Sequence, residues 1–356
     1  MVNSKDKESI AFMNQKRSIS WIDGAKILAI IMVVSSHFYM SMSRTGWVDK
    51  DAVYYYLPIR LALCIPVQIF FVCSGFLYQL FKKETNFTSH LLNIKNKAIA
   101  LGIPYFVFSI ISLLLKNVFS GSVNSKPTPI LKTLFVHPMP PYWYLYILFI
   151  LFILIPRVTK KRNLYIILAV SIVAKVFVLL PHIALPFFVS RCCNNAIWFA
   201  IGMLLTTINF KYNILERIIF IMLAVAGVLV TLRFFVHNQN NTSIDFLVSI
   251  LFVFPILYLF IYFMRNGRGS SLSRFRKYIL PIFLMHTIFA SMIRIALLKI
   301  GVANVAIHIM AGLTASFALP ALVYFIAEKK WFLLMFIEPF KAMKMRKKES
   351  RIKNSY

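Results

Sequence analysis

Apolar stretches long enough to cross a lipid bilayer recur along the whole chain, and they constrain its fold more than any other feature. Ten such stretches can be counted, at about 21–41, 54–80, 98–118, 141–157, 163–181, 184–206, 214–236, 244–264, 278–299 and 302–327. Each stretch is continuously apolar and most approach the ~20 residues that a spanning helix needs. The sequence therefore predicts an all-α integral membrane protein, a single bundle of about ten transmembrane helices.

The net charge of +29 is distributed in a way that predicts the orientation of the chain. If the N-terminus is cytoplasmic, the cytoplasmic segments hold 28 of the 40 Lys and Arg residues. Because basic residues hold loops on the cytoplasmic side, both termini are expected to be cytoplasmic. This accounts for the charge without nucleic acid, so no nucleic-acid partner is expected.

The chain is expected to have three parts. Residues 1–20 form a polar cytoplasmic segment without the features of a cleavable signal peptide. Residues 21–327 form the membrane domain, and residues 328–356 form a basic cytoplasmic tail expected to lie on anionic membrane lipids. The four cysteines and the histidines show no metal-ligand spacing, so no metal site is expected.

The first apolar stretch carries three ionisable residues, Asp23, Lys26 and His37. At about 100° per residue, Lys26 and His37 return to within about 20° of one another on a helix, and Asp23 lies about 40° further round. The three residues form a polar stripe about 20 Å long, with Ile30 and Val33 between them. Because lipid exposure of such a stripe is costly, it is expected to face the bundle interior or a water-filled cavity. Structural roles at the helix start and in the bundle are the alternative.

Other polar residues inside the predicted spans are functional candidates for the same reason. They are His286, Arg191, Asn195, Arg60 and Lys175, the last without an evident partner, whereas Ser74 beside Gly75 alone indicates only close helix packing. Arg191 and Asn195 are four residues apart and share a helix face, where they line a cavity or crosslink helices. Arg294 lies on a different face from His286 and is expected to reach the outer membrane edge.

Five segments resemble, in order, the motifs of the acyltransferase family 3 membrane proteins. Their first helix carries a basic residue, ten intervening residues and a histidine, which Lys26 and His37 match. The other similar segments are IFFVCSGFLY (69–78), PYWYLYILFILFILIP (141–156), FAIGMLL (199–205) and YILPIFLMHTIF (278–289). Two departures are Lys26, where the family commonly has arginine, and Tyr142, where it often has histidine.

The resemblance implies transfer of an acyl group, usually acetyl, from cytoplasmic acyl-CoA to a sugar hydroxyl. The acceptor is a surface polysaccharide or its lipid-linked precursor, and the location is the plasma or inner membrane of a bacterial cell. Acetyl-CoA is then a donor substrate, and no permanently bound cofactor or metal is needed.

The resemblance also implies roles for individual residues. His37 acts as general base or transient acyl carrier, with His286 as a second catalytic candidate. Lys26 contacts a CoA phosphate, with Asp23, Lys95 and Lys97 also at the cytoplasmic mouth, where Asp23 pairs with Lys26 or with the other two lysines. Candidates for binding the acceptor or the oxyanion are Arg191, Asn195, Ser74 and Arg60.

Two other classes of function fit parts of the sequence. A polysaccharide or glycolipid transporter uses a polar cavity without chemistry, although the chain shows no internal repeat of the kind common in transporters. A membrane receptor or scaffold predicts no dependence on the intramembrane histidines. Consumption of labelled acyl-CoA in the presence of acceptor separates an acyltransferase from both.

Overall fold

A computed structural model describes residues 4–44, 47, 49, 53–81, 86–118, 129–180, 185–235, 241–264 and 270–353. Over these residues the chain contains α-helices and short π-helical segments, and no β-strand. The α-helices are α1 (Ser4–Arg44), α2 (Val53–Cys64), α3 (Pro66–Leu80), α4 (Phe87–Lys97), α5 (Ile103–Val118), α6 (Trp143–Leu154), α7 (Lys161–Leu179), α8 (Phe187–Leu205), α9 (Ile214–Val230), α10 (Thr242–Met264), α11 (Ser270–Ser273), α12 (Arg276–Lys299), α13 (Val305–Ala327), α14 (Trp331–Leu334) and α15 (Pro339–Lys353).

The described residues include nine helical segments that are long and apolar enough to cross a membrane. This confirms the predicted all-α membrane bundle. The predicted segment 141–157 is the exception, because its helix α6 spans only 12 residues. Tyr144 and Phe152 of α6 contact Phe70 and Tyr78 of α3 respectively, so α6 runs beside α3 in the same direction. A tenth crossing and the cytoplasmic location of both termini stay predictions.

Two helix boundaries differ from the apolar pattern. The third segment begins at Phe87 rather than near 98, because the Asn86 side chain caps the helix by accepting a hydrogen bond from Ser89 N at 2.8 Å. This helix continues through a π-helical segment, Ala98–Gly102, into α5. The second segment is divided at Ile65 because Pro66 has no N–H group to continue the hydrogen-bond ladder of α2.

Helices α3 and α8 cross at a distance that only glycine permits. A Cβ atom at Gly75 would lie 2.0 Å from the Phe199 carbonyl oxygen, and one at Gly202 would lie 2.0 Å from the Val72 carbonyl oxygen. Small residues at helix crossings let backbones approach closely inside a membrane. Because lipid removes the hydrophobic driving force for helix association, dispersion and weak Cα–H···O contacts stabilise such a crossing instead. This crossing fixes α8 against the centre of the bundle.

The segment after α13, which contains α14 and the start of α15, packs against the bundle. Leu334, Ile337 and Ala342 are buried. Glu328 accepts hydrogen bonds from Lys341 Nζ at 2.5 Å and Lys277 Nζ at 3.1 Å, which ties α15 to the start of α12. Burial raises the pKa of Glu328, but these two lysines outweigh it and hold the pKa below its usual value.

We predict that Gly202→Ala destabilises the protein by about 1–3 kcal/mol, the usual range for overpacking, because the new methyl group meets backbone atoms. Gly102→Ala is the matched control, since a Cβ there has no neighbour within 4 Å. Thermal unfolding in detergent should show a lower Tm for Gly202→Ala only. Equal Tm values for the two variants would contradict the close crossing.

Acid should loosen α15 from the bundle. Because the Glu328 pKa is lowered in the folded state, the stabilisation is present above the unfolded pKa and is lost as the pH falls through the folded one. Protease cleavage within 339–353 should therefore increase in that acidic range for the wild type. Glu328→Gln should be cleaved readily at neutral pH as well, whereas Glu349→Gln, an exposed control on α15, should behave like the wild type.

Candidate active site

The polar stripe of α1 faces the bundle, as its periodicity predicts. Asp23, Ile30 and Val33 are buried, whereas Lys26 and His37 are partly accessible. Ile31, on another face of the helix, is 47% exposed. The stripe is therefore directed at neighbouring helices and cavities.

His37 lies beside the second predicted histidine, His286 of α12. Their ring centroids are 5.4 Å apart, with 47° between the ring planes. His286 is fully buried, and its Nδ1 lies 2.9 Å from the Ile282 carbonyl oxygen and 3.0 Å from that of Phe283. Since carbonyls only accept, Nδ1 of the neutral ring carries the proton and Nε2 is left as an acceptor. Among the described residues, that Nε2 atom has no hydrogen-bond partner.

A cavity of about 410 Å³ lies against His37. Its volume falls within the range usual for small-molecule sites, about 300–1,000 Å³. The α1 residues that line it are Val33, Ser36, His37 and Met40. Aromatic residues Trp143, Tyr144, Trp198, Phe246 and Phe283 form much of the remaining wall. His37 is thus positioned to meet a ligand in this cavity.

The polar wall of the cavity is built by α7, α8 and α10. Lys175 donates to Asn194 Oδ1 at 2.6 Å, and the Arg191 guanidinium lies 4.7 Å from the centroid of the Trp143 ring. Asn195 Nδ2 donates to the Arg191 carbonyl oxygen at 2.7 Å. The C-terminal end of α7 meets the N-terminal end of α8, which is why residues distant in sequence share this wall.

Arg60 and Ser74 lie behind the cavity surface and not on it. Arg60 Nη2 forms an ion pair with Asp245 Oδ1 at 2.8 Å, and its guanidinium lies 4.1 Å from the Phe235 ring centroid. Ser74 Oγ is 3.1 Å from the hydroxyl of Tyr144. Asp245 and Tyr144 themselves line the cavity. Direct substrate roles for Arg60 and Ser74 stay predictions.

A smaller cavity, of about 180 Å³, lies on the other side of His37 and is lined by His286, Arg294, Lys116 and Ser41 among others. The expectation that Arg294 reaches the outer membrane edge is wrong. Arg294 is buried, and its Nη1 donates to the Ser41 carbonyl oxygen at 3.3 Å and to the Ser41 hydroxyl. The hydrogen bonds to α1 satisfy the guanidinium inside the bundle, so it does not need to reach water.

The other end of the stripe lies in a separate cationic region. Lys97, whose Nζ is 4.4 Å from the Phe152 ring centroid, is within electrostatic range of both Lys26 and Arg157. Arg157 Nη2 donates to Asn93 Oδ1 at 3.3 Å, and burial lowers the Arg157 pKa. Lys95 is exposed.

Asp23 pairs with residues that the sequence pattern did not indicate. Its Oδ2 lies 3.9 Å from Arg276 Nη1, and the Ser273 side chain forms a hydrogen bond with it. The sequence had suggested Lys26, Lys95 or Lys97 as its partner. Among the described ion pairs, that of Asp23 is with Arg276, because α11 and the start of α12 pack beside α1.

The two ends of the stripe are not joined by the described cavities. Lys26 and His37 are separated by about 17 Å of helix. The 410 Å³ cavity reaches Val33 but not Lys26, and Ile30 is buried between them. Apolar packing thus separates the cationic end from the histidine end.

Several residues of this region were not singled out from the sequence. Asp245 lies in the first turn of α10, where an acidic residue also serves as an ordinary helix-start group, so nothing marked it. Arg157 and Arg276 lie at helix ends and read as positive-inside residues. The sequence feature that pointed to a missed carboxylate was Lys175, a cation inside a span without an evident partner, which lines the same cavity as Asp245.

The Arg60–Asp245 ion pair should stabilise the wall of the large cavity. We predict that Asp245→Asn lowers the Tm, because it leaves a cation inside the bundle without its partner. The double variant Arg60→Met/Asp245→Asn should recover most of the loss. Thermal unfolding of the wild type, both single variants and the double variant measures the coupling. Additive losses would show that the pair contributes nothing.

Comparison with known proteins identifies the family. The family model described as "Acyltransferase domain" (Acyl_transf_3) matches residues 19–325, which include α1 from residue 19 onward and nearly all of α13. Searches of curated proteins and of solved structures give no match. The match covers most of the chain, including both histidines and all of the predicted motifs. The chain therefore belongs to acyltransferase family 3 and is a multi-pass membrane acyltransferase.

Proposed function

We propose that this acyltransferase moves an acetyl group from cytoplasmic acetyl-CoA to a hydroxyl of a cell-surface polysaccharide or its lipid-linked precursor. The observation that carries the proposal is the pair of histidines, with ring centroids 5.4 Å apart, of which His37 lines a cavity of about 410 Å³. The protein would act in the plasma or inner membrane of a bacterial cell, where membrane lipids surround its helices.

In this proposal His37 is the general base. It accepts the proton of the acceptor hydroxyl while that oxygen attacks the thioester carbonyl carbon. The new C–O bond forms, the C–S bond breaks, and the departing CoA sulfur takes up the proton from the imidazolium. An imidazole suits both proton transfers, because its ring nitrogen can accept a proton and then donate it.

His286 is proposed to position His37. Ring centroids 5.4 Å apart allow ring nitrogens to approach to about 3 Å, within hydrogen-bond reach. The Nε2 acceptor of His286 can then receive an N–H group from His37, which fixes the tautomer of His37 and leaves its other nitrogen basic. The hydrogen bonds from His286 Nδ1 to the carbonyl oxygens of Ile282 and Phe283 place the proton of His286 on Nδ1, which leaves its Nε2 as the acceptor.

The donor is proposed to bind through its phosphates at the cationic end of the stripe. Lys26, Lys97 and Arg157 supply positive charge there, and Lys95 lies at the exposed rim. Asp23 is engaged by Arg276 and is proposed to hold the start of α12 rather than to touch CoA. For the thioester to approach His37, Ile30 and Val33 must move aside.

The developing oxyanion needs hydrogen-bond donors on the cavity wall. Arg191 and Asn195 are proposed for this role because both line the cavity. The Asn195 amide already donates to the Arg191 carbonyl, so Arg191 is the stronger candidate. Arg60 and Ser74 are proposed to support the wall through Asp245 and Tyr144.

We predict that His37→Ala lowers acetyl transfer by about 100-fold or more, the usual contribution of a general base. Membrane vesicles containing the full chain and native glycan would receive radiolabelled acetyl-CoA, and label in the glycan would be measured. His286→Ala should lower transfer less, since His37 keeps its basic nitrogen. His137→Ala is the matched control, because His137 is exposed and lines neither cavity next to His37.

Full transfer by folded His37→Ala protein would overturn the mechanism. If no label reaches glycan with the wild type, but acetyl-CoA raises the Tm of the protein, the acceptor is of another kind. Export of glycan without consumption of acetyl-CoA would instead favour a transporter.

A further inference from the structure

Lys175 is a buried cation for which the proposed acyl transfer has no use. It lies within the spanning helix α7, is only 6% exposed, and lines the 410 Å³ cavity. Its Nζ donates to Asn194 Oδ1 at 2.6 Å and lies 4.4 Å from the Phe246 ring centroid. An ammonium group has three donors, and a neutral amide does not neutralise it. Cations at such positions usually mark a binding site.

The charges around the cavity do not balance. Asp245 is the one carboxylate that the described residues place on its lining, and the Arg60 guanidinium is hydrogen-bonded to it at 2.8 and 3.0 Å. Lys175 and Arg191 line the same cavity, and neither takes part in a described ion pair. Two cations, Lys175 and Arg191, thus line the cavity, while its one carboxylate is already paired with Arg60 behind the wall. An apolar surround strengthens this field, which favours an anionic ligand.

The remaining lining suits a carbohydrate. Trp143 and Phe246 line the cavity and are partly exposed, so their rings offer apolar surfaces on which the C–H face of a sugar ring can pack. Amide groups of Asn194, Asn195 and Gln68 line the same cavity, and the buried Gln68 Oε1 has no hydrogen-bond partner among the described residues. A sugar hydroxyl would satisfy that acceptor.

We propose that the acceptor is an acidic saccharide, whose carboxylate or phosphate group binds Lys175 within the positive field of Arg191 while a hydroxyl of the same molecule reaches His37. This inference rests on the proposed function, because it names the class of acceptor used by that site. Lys175 would determine specificity without taking part in the transfer of protons.

Binding to the full chain in nanodiscs of uncharged lipid tests this directly, with the change in tryptophan fluorescence, to which Trp143 on the cavity wall contributes, as the readout. The probes are glucuronic acid, glucose and a glucose phosphate. The wild type should bind at least one acidic probe about tenfold more tightly than glucose, and added salt should weaken only the acidic binding. Whether the carboxylate or the phosphate is preferred distinguishes an acidic sugar from a phosphate-bearing precursor.

Three variants separate recognition from structure. Lys175→Met should bind acidic and neutral probes alike, Lys175→Arg should restore the preference, and Lys161→Met, an exposed control on the same helix, should keep it. If Lys175→Met does not fold, loss of the preference in Arg191→Gln serves instead. Equal binding of acidic and neutral sugars by the wild type, or a preference that survives Lys175→Met, would overturn the proposal.

The outcome is independent of the transfer assay. An acidic preference without acetyl transfer in vesicles would leave the anion site standing and reject the proposed enzyme activity. Acetyl transfer without any acidic preference would leave the enzyme activity and reject the site.

Discussion

The close contact of α3 and α8 is the interaction on which the site depends most. Gly75 and Gly202 let the two backbones touch, so that the C-terminal half of α8 is held against α3. Because α7 and α8 pack as a hairpin, the same contact brings Lys175 and Arg191 to the cavity beside His37. A side chain at either glycine would push the polar wall away from the histidines, so packing and chemistry are coupled through this crossing.

The second constraint is the cost of placing charged side chains inside the bilayer. Each buried cation near the histidines has a specific form of compensation: Arg60 has Asp245, Arg294 has Ser41, and Lys175 has Asn194. Lys175 and Arg294 donate hydrogen bonds to neutral groups, whereas Arg60 donates to a carboxylate, and of the first two it is Lys175 that lines the larger cavity. This difference is what distinguishes a group held ready for a ligand from groups that stabilise the fold.

The sequence allowed prediction of the helical class, the family motifs and the face of α1 that turns inward, because these follow from hydropathy and from the helical period of 3.6 residues. It did not allow prediction of partners between distant helices. Asp245 looks like an ordinary first-turn residue, and Arg294 like one that reaches water, until the packing of α10 and α12 is known. Partner choice depends on the crossing of helices, which local periodicity does not encode.

The apolar packing between Lys26 and His37 has a consequence for the cell as well as for the substrate. In the proposed mechanism the donor enters at the Lys26 end and reacts at His37, which needs a route along which ions do not follow. Ile30 and Val33 are buried at this point, and a hydrocarbon constriction excludes hydrated ions. The same residues that must yield to an acyl chain can therefore keep the membrane potential intact while the site is empty.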